Sequence, residues 1–262
     1  MKLQDKEFLI TGLANKKSVA YFTANLLKEY GAKVIFSVHE SNFEKAQVLF
    51  PNDPIYICDV EKEESIKDLG QILAQKGHKL SGMLHSIAFA NYSEGIKPFI
   101  ETKASDFHQA CQISCFSLIS LSNALKDSFE EDASIVTVSI SSTKATSYGY
   151  MGPIKAMLDA TVPFLAKSFS AFSKIRVNAV CSGPLKTSSS AGIPGYVDNY
   201  LFSEQLTLRG NNLKTEEVAS TILFLLSPLS SGINAQGIVV DAGMNCNYFD
   251  EKVVSSFIKN NF

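Results

Sequence analysis

"EFLITGLANKKSVAY" (residues 7–21) runs five largely apolar residues into a glycine and then into an amphipathic segment. A short strand feeding a helix through one glycine is how a parallel α/β unit begins. Gly12 can take a positive φ at that turn and lets an anion approach the backbone, while the next helix offers unpaired N–H groups. Ser18 stands at the N-cap position and adds a hydroxyl. A dinucleotide pyrophosphate is the natural guest. The G-x-G-x-x-G pattern is absent, and Lys16, Ser18 and Phe22 stand where small residues are usual. A tight turn before an ordinary helix is therefore the alternative reading.

The alternation repeats along the chain. "KVIFSV" (33–38) precedes a helical run at 41–50, "PIYICDV" (54–60) one at 63–77, and "GMLHSIAF" (82–89) one at 103–129. "SIVTVSI" (134–140) precedes a helix at 152–172; "IRVNAV" (175–180), a helix at 215–226 and "GIVVDAG" (237–243) close the pattern. Strands this continuously apolar are buried on both faces, and helical connections imply parallel order. The expected fold class is α/β: a single doubly wound, mostly parallel seven-stranded sheet with helices on both faces, Rossmann-type, in one domain spanning 1–262.

Two segments stand outside this pattern. Residues 182–205 show no clear period, yet Ile193, Tyr196, Val197, Tyr200, Leu201 and Phe202 argue against disorder, and a substrate lid at about 187–205 is expected. The tail at about 247–262 places Val253, Val254, Phe257 and Ile258 at helical spacing, as in a docked or interface helix.

Composition narrows the function. At 262 residues and 45% hydrophobic content the chain can bury one large core. A formal charge of −2 and only two arginines, Arg176 and Arg209, disfavour nucleic acid as a partner. No run approaches the roughly 18 apolar residues of a membrane span, and the N-terminus lacks a cleavage site. Five cysteines without a C-x-x-C pair suit free thiols in a reducing cytoplasm rather than a metal site. Cys111 and Cys115, four apart, read as packing residues.

"CDV" (58–60) and "HSIAFA" (85–90) end the third and fourth strands, at the edge where such sheets bind ligands. The acid expected about 20 residues beyond the glycine turn falls near His39 and Glu40; neither arginine is there to receive a 2′-phosphate, and Glu40 would repel one. The balance favours NADH over NADPH, though both residues also suit a solvated strand end.

"TSYGYMGPIK" (146–155) sets two tyrosines before a lysine. At roughly 100° per residue, a separation of seven returns to within about 20° of one helix face, and five leaves about 140°. Tyr148 is the better partner for Lys155, although Pro153 belongs in a first turn and puts Tyr148 near the helix start.

With these pieces in place, the chain resembles the short-chain dehydrogenase/reductase superfamily, and within it the bacterial enoyl-acyl-carrier-protein reductases of fatty-acid synthesis. The resemblance rests on the glycine-x5-serine turn, "CDV", "LHSIAFA", the tyrosine-x6-lysine pair in "YGYMGPIK", "IRVNAVCSGPLKT" (175–187) and "LSSGINAQGIVVDAG" (229–243). It implies that Tyr148 and Lys155 are catalytic, the phenol meeting negative charge on a thioester oxygen and the ammonium lowering its pKa and holding ribose hydroxyls. It implies a cofactor site from Gly12, Ser18 and Val19, through His39, Asp59 and Val60, to Ser86, Ile87 and Ala88. Lys155, Gly183, Pro184 and Thr187 would complete that site. Ala88, Tyr148, Met151 and Tyr196 would face the substrate, an acyl-carrier-protein or coenzyme A thioester. A homotetramer is implied as well.

The chain also departs from the family. Ile140 stands where the family carries a second tyrosine, and the segment up to Tyr148 is about two residues short. Ser139, Ser141 and Ser142 are candidates for an extra hydroxyl, or are turn formers. Met151 occupies the tyrosine place of the ordinary tyrosine-x3-lysine pair, which counts against a typical alcohol dehydrogenase. The rival readings are a carbonyl reductase of the same superfamily and a catalytically silent nucleotide-binding relative.

Overall fold

The computed structural model describes residues 3–187, 190, 193–247 and 249–261. Its strands are β1 (Glu7–Thr11), β2 (Lys33–Val38), β3 (Ile55–Ile57), β4 (Leu80–His85), β5 (Phe129–Ile140), β6 (Arg176–Ser182) and β7 (Gly237–Val240). They form one sheet in the order β3-β2-β1-β4-β5-β6-β7. Every pairing is parallel. The helices are α1 (Val19–Glu29), α2 (Phe43–Leu49), α3 (Glu63–Gln75), α4 (Ala104–Cys111), α5 (Ser117–Ala124), α6 (Met151–Phe169), α7 (Tyr196–Leu206), α8 (Thr215–Leu226) and α9 (Glu251–Asn261). Among the described residues no helix is long and apolar enough to cross a membrane.

Burial explains why the strands read as unbroken apolar runs. In β1, Leu9 joins Ile35, Met83, Ile135 and Val177 in a layer closed by α3, α5 and α6. Its neighbours Phe8 and Ile10 point the other way, into a layer with Val34, Phe36, Val136, α1 and α8. Side chains alternate along a strand, so a strand covered on both faces needs apolar residues at every position. The order reverses between β1 and β4, and there the carboxyl ends of two neighbouring strands leave a crevice for a ligand.

Several boundaries differ from expectation for local reasons. β3 stops at Ile57, short of "CDV", because the Asp59 carboxylate turns the chain by accepting from the Glu61 N–H (3.1 Å). The helical run expected at 103–129 breaks at a π turn, Gln112–Phe116, and β5 begins already at Phe129. Within the expected lid, Tyr196–Leu206 is a helix. Its Val197, Leu201 and Phe202 are all exposed, so no one-sided pattern betrayed it. The expected lid also includes residues 188, 189, 191 and 192, which lie outside the described residues. In the tail, α9 is a helix whose Val254 and Ile258 are exposed rather than docked on the chain; the side chain of Phe257 is outside the described set.

Arg176 is a buried cation without a salt-bridge partner among the described residues. Its Nη1 donates to Ser230 O and Oγ (both 2.9 Å) and to Ile233 O (3.2 Å); Nη2 donates to Leu225 O and Ser227 O (both 3.2 Å). Five contacts fasten the start of β6 to the end of α8. A lysine has neither the fork nor the donors to replace them. Arg176→Lys is expected to cost about 2–4 kcal/mol, from stranded carbonyls and a strongly hydrated buried ammonium. The urea midpoint at pH 7 measures it, and an unchanged midpoint would refute this account.

Candidate active site

The nucleotide end is built on Gly12. Its φ is +80°, and a Cβ there would lie 1.9 Å from the Ser86 carbonyl oxygen. The ends of β1 and β4 are drawn together by Thr11, whose Oγ1 donates to Leu84 O (2.9 Å) and accepts from Ser86 N (3.3 Å). Ser18 is the N-cap of α1; its hydroxyl accepts from Tyr21 N (3.4 Å) and donates to Asn15 O (2.6 Å). Val19, the first residue of α1, is buried. A first turn leaves N–H groups without helical partners, so this end of α1 attracts an anion.

Around it the other expected residues gather on the same sheet edge. His39 and Glu40 follow β2 and are exposed, with His39 Nδ1 capping a one-turn helix by accepting from Ser41 N (3.2 Å). Asp59 and Val60 follow β3. Burial pushes the Asp59 carboxyl up, but Lys62 at 3.0 Å and the Glu61 N–H outweigh it and hold the pKa below its ordinary value. Gly183 and Pro184 follow β6, and a Cβ on Gly183 would meet Asp241 Cβ at 3.0 Å. The Thr187 hydroxyl is engaged by Ser190, accepting from its N–H (3.3 Å) and lying 3.2 Å from its Oγ.

Beyond β4, Ser86 and Ile87 are partly buried and Ala88 is exposed. The loop is fixed from the π turn: Ser114 Oγ accepts from Phe89 N (2.9 Å) and donates to Phe89 O (3.0 Å). His85, fully buried at the end of β4, sits between Thr137 Oγ1 and Ser117 Oγ, both at 2.8 Å. Ser117 gives its proton to Ile113 O (2.6 Å), so Nε2 of the ring must donate and Nδ1 must accept. Burial, then the Lys155 charge, push the His85 pKa down to about 3.

Tyr148 closes a 3-10 turn, Thr146–Tyr148, and is not part of α6. Gly149 separates them with φ 61° and ψ −150°, a conformation open essentially to glycine alone. The shared helix face expected from the seven-residue spacing therefore does not exist; Pro153 falls in the first turn of α6, as expected. Burial pushes the Tyr148 phenol up, with no hydrogen bond or charge opposing it. The expected lowering by Lys155 is absent, because the lysine is turned elsewhere. Tyr148 in turn helps to raise Tyr92 and Tyr196, both raised mainly by burial, Tyr196 to about 12. Its phenol thus lies near both the loop after β4 and the segment after β6.

Lys155 is 5% exposed, and its Nζ donates to Val138 O at 2.7 Å. Burial lowers its pKa to about 8, partly offset by Asp159 one turn along and by Cys115 and Cys181. Asp159 lines a cleft of about 240 Å³ with Ile140, Ser141, Thr143 and Cys181, and burial raises its own pKa. Met151 is buried at the start of α6. The Tyr196 hydroxyl is doubly engaged by Leu185, accepting from its N–H (2.8 Å) and donating to its carbonyl (2.9 Å). Tyr150 is spent likewise, its hydroxyl donating to Asn91 O (3.0 Å).

Thr11, Tyr92, Ser114 and Asp159 were not singled out from the sequence. Asp159 had a signal, standing four residues after Lys155 on one helix face. The other three act through backbone groups of distant segments, which leaves no local trace. A glycine that admits no Cβ, the N-terminus of α1 and five strand ends on one edge fit a dinucleotide.

Comparison with known proteins agrees. Residues 12–245 match the family model described as enoyl-(acyl carrier protein) reductase. The enoyl-[acyl-carrier-protein] reductase [NADH] of Nostoc sp. is 34% identical over 252 residues, covering 93% of this chain and 97% of the relative. The Staphylococcus aureus enzyme of the same name, marked [NADPH], is 32% identical and covers 94% and 98%. The crystal structure of the Aquifex aeolicus enoyl-[acyl-carrier-protein] reductase (NADH) superposes with a TM-score of 0.87 at 31% identity, covering 94% and 98%. Sheet order, glycine turn and these likenesses agree, and the chain belongs to the enoyl-acyl-carrier-protein reductase family.

Proposed function

We propose that this protein reduces a 2-enoyl thioester, carried by acyl-carrier protein or coenzyme A, in fatty-acid synthesis. The observation that carries this reading is a half-buried phenol, Tyr148, without a hydrogen-bond partner among the described residues, on the sheet edge that carries the Gly12 turn. Bound NADH would supply the hydride that adds to C3 of the enoyl group. Electrons then move towards the thioester oxygen, and the Tyr148 hydroxyl donates a hydrogen bond where that charge forms. A phenol raised by burial stays protonated, which suits a donor better than a base.

The remaining roles follow from position. The Gly12 turn and the N-terminus of α1, with Ser18 and Val19, would hold the pyrophosphate, with Thr187 reaching it from the far side. His39, Asp59 and Val60 would hold the adenosine end. Ser86, Ile87, Ala88, Gly183, Pro184 and Lys155 would hold the nicotinamide half. Ala88, Met151 and Tyr196 would line the acyl side, with α7 and its flanks as a lid on a single catalytic unit. NADH is favoured over NADPH because Glu40 is exposed at the β2 end and neither arginine is free: Arg176 is buried and Arg209 pairs with Glu217 at 2.6 Å.

Five free cysteines suit a cytoplasmic enzyme. Exposed Phe116, Met157, Phe164 and Phe172, on and around α6, support assembly into a homotetramer. A monomeric mass by light scattering would count against that assembly.

The test follows NADH absorbance with crotonyl-coenzyme A and, in parallel, a panel of ketones and quinones. Turnover of the thioester alone is expected. Turnover of carbonyls alone would favour the carbonyl-reductase reading, and no NADH-dependent rise in Tm a silent one.

Lys155 gives the pH dependence its sign. The unfolded chain keeps this proton to about pH 10.5 and the folded one to about 8, so the buried charge costs stability below pH 8. That cost is relieved as pH rises from about 8 to 10.5. The ammonium needed to hold ribose hydroxyls is lost over the same rise. The ratio kcat/KM is therefore expected to fall above about pH 8, and Lys155→Met to lose both activity and that limb. A wild-type profile flat to pH 10 would overturn the assignment.

A further inference from the structure

Between the loop after β4 and the turn that carries Tyr148, two hydrogen bonds run in opposite directions. Tyr92 Oη donates to the Tyr148 carbonyl (3.2 Å), and Tyr150 Oη donates to the Asn91 carbonyl (3.0 Å). Residues 91 and 92 on one segment are thus laced to 148 and 150 on the other. The two rings pack together, with centroids 5.3 Å apart and planes at 46°. The lacing is anchored at its far side, because Asn91 Nδ2 donates to Asp106 Oδ1 on α4 (3.1 Å) and Phe107 packs on Tyr150.

The turn between the two tyrosines is fitted to Tyr92 as well. Gly149 takes a backbone conformation that side chains forbid, and a Cβ there would lie 3.3 Å from Tyr92 Oη. The only side-chain hydrogen bond found on the Tyr148 backbone, among the described residues, is the one from Tyr92. Tyr148 belongs to a 3-10 turn of three residues rather than to α6, so no helix fixes its place. Something outside the turn has to.

We propose that Tyr92 is a positioning residue that holds the backbone of Tyr148, and through it the phenol, in place for reduction. This rests on the reading above that Tyr148 is the donor to the thioester oxygen. Tyr92 touches neither reacting atom; it acts through Tyr148. Loss of its hydroxyl frees the turn while leaving the ring against Tyr150, and it removes no group assigned above to the cofactor.

A double-mutant cycle on the full chain tests this with crotonyl-coenzyme A and NADH. The corners are wild type, Tyr92→Phe, Tyr148→Phe and the double variant, each checked for Tm. Tyr92→Phe is expected to lower kcat about five- to tenfold, the scale of one lost hydrogen bond, with KM for NADH unchanged. In the Tyr148→Phe background the same change is expected to alter kcat by less than about twofold, since two groups acting as one unit are not additive. Should Tyr92→Phe prove unstable, Tyr150→Phe, which removes the reciprocal bond, is expected to give the same pattern. Wild-type turnover by Tyr92→Phe, or an equal fold-loss in both backgrounds, overturns the proposal while the donor reading stands. Full turnover by Tyr148→Phe overturns both.

Discussion

Tyr148→Phe is expected to lower kcat for crotonyl-coenzyme A reduction by about 100-fold or more, with the NADH-induced rise in Tm preserved. The substitution deletes one oxygen that holds no hydrogen bond among the described residues, so the folded chain gives up little. The reacting thioester gives up its donor at the moment charge reaches its oxygen. An interaction made only in the transition state lowers kcat and kcat/KM equally, and that pairing is the signature to look for. Tyr150→Phe supplies the contrast. Its hydroxyl is already committed to Asn91 O, so it can influence the reaction only through the turn, and a loss of at most about tenfold is expected. If the two variants lose activity equally, Tyr148 is not the donor.

Of the two grounds for this distinction in the sequence, the spacing and the family frame "YGYMGPIK", the structure does not bear out the first. The spacing of seven suggested one helix face shared with Lys155, whereas Gly149 ends the 3-10 turn before α6 starts. What separates Tyr148 from Tyr150 is instead hydrogen bonding: one phenol is committed and the other is not. Such commitments are long-range. Asn91 and Tyr150 are 59 positions apart, as invisible to periodicity as the Ser114 clamp on Phe89. The sheet was legible because its signal is local: β1 and β2 match their apolar runs residue for residue, and burial on both faces demands those runs. α7 was missed because its apolar residues spread around its surface. Lys155 was legible as the lysine of the pair, but not the direction of its ammonium, which the Val138 carbonyl decides.

Gly12→Ala is expected to damage folding and cofactor binding together, for two separable reasons. The first is conformational: at φ +80° an L side chain is strained by roughly 1–2 kcal/mol even in open space. The second is steric, and larger. A Cβ 1.9 Å from the Ser86 carbonyl oxygen cannot be accommodated by a rotamer change, since the obstacle is backbone. The ends of β1 and β4 would have to part, against the two Thr11 hydrogen bonds that close them. Together these effects are expected to cost about 2–4 kcal/mol, or roughly 5–15 °C in Tm. Parting the strands also shifts the turn away from the first N–H groups of α1, so the NADH-dependent stabilisation, about 2.7 kcal/mol at 100 times Kd, is expected to disappear. Thr11→Val separates the two effects: it removes the hydroxyl tie but adds no Cβ at position 12. It is expected to lose stability, by about 1–2 kcal/mol, and to keep its response to NADH. A Gly12→Ala protein with wild-type Tm and an undiminished NADH response would mean that the crevice between β1 and β4 is not where the nucleotide binds.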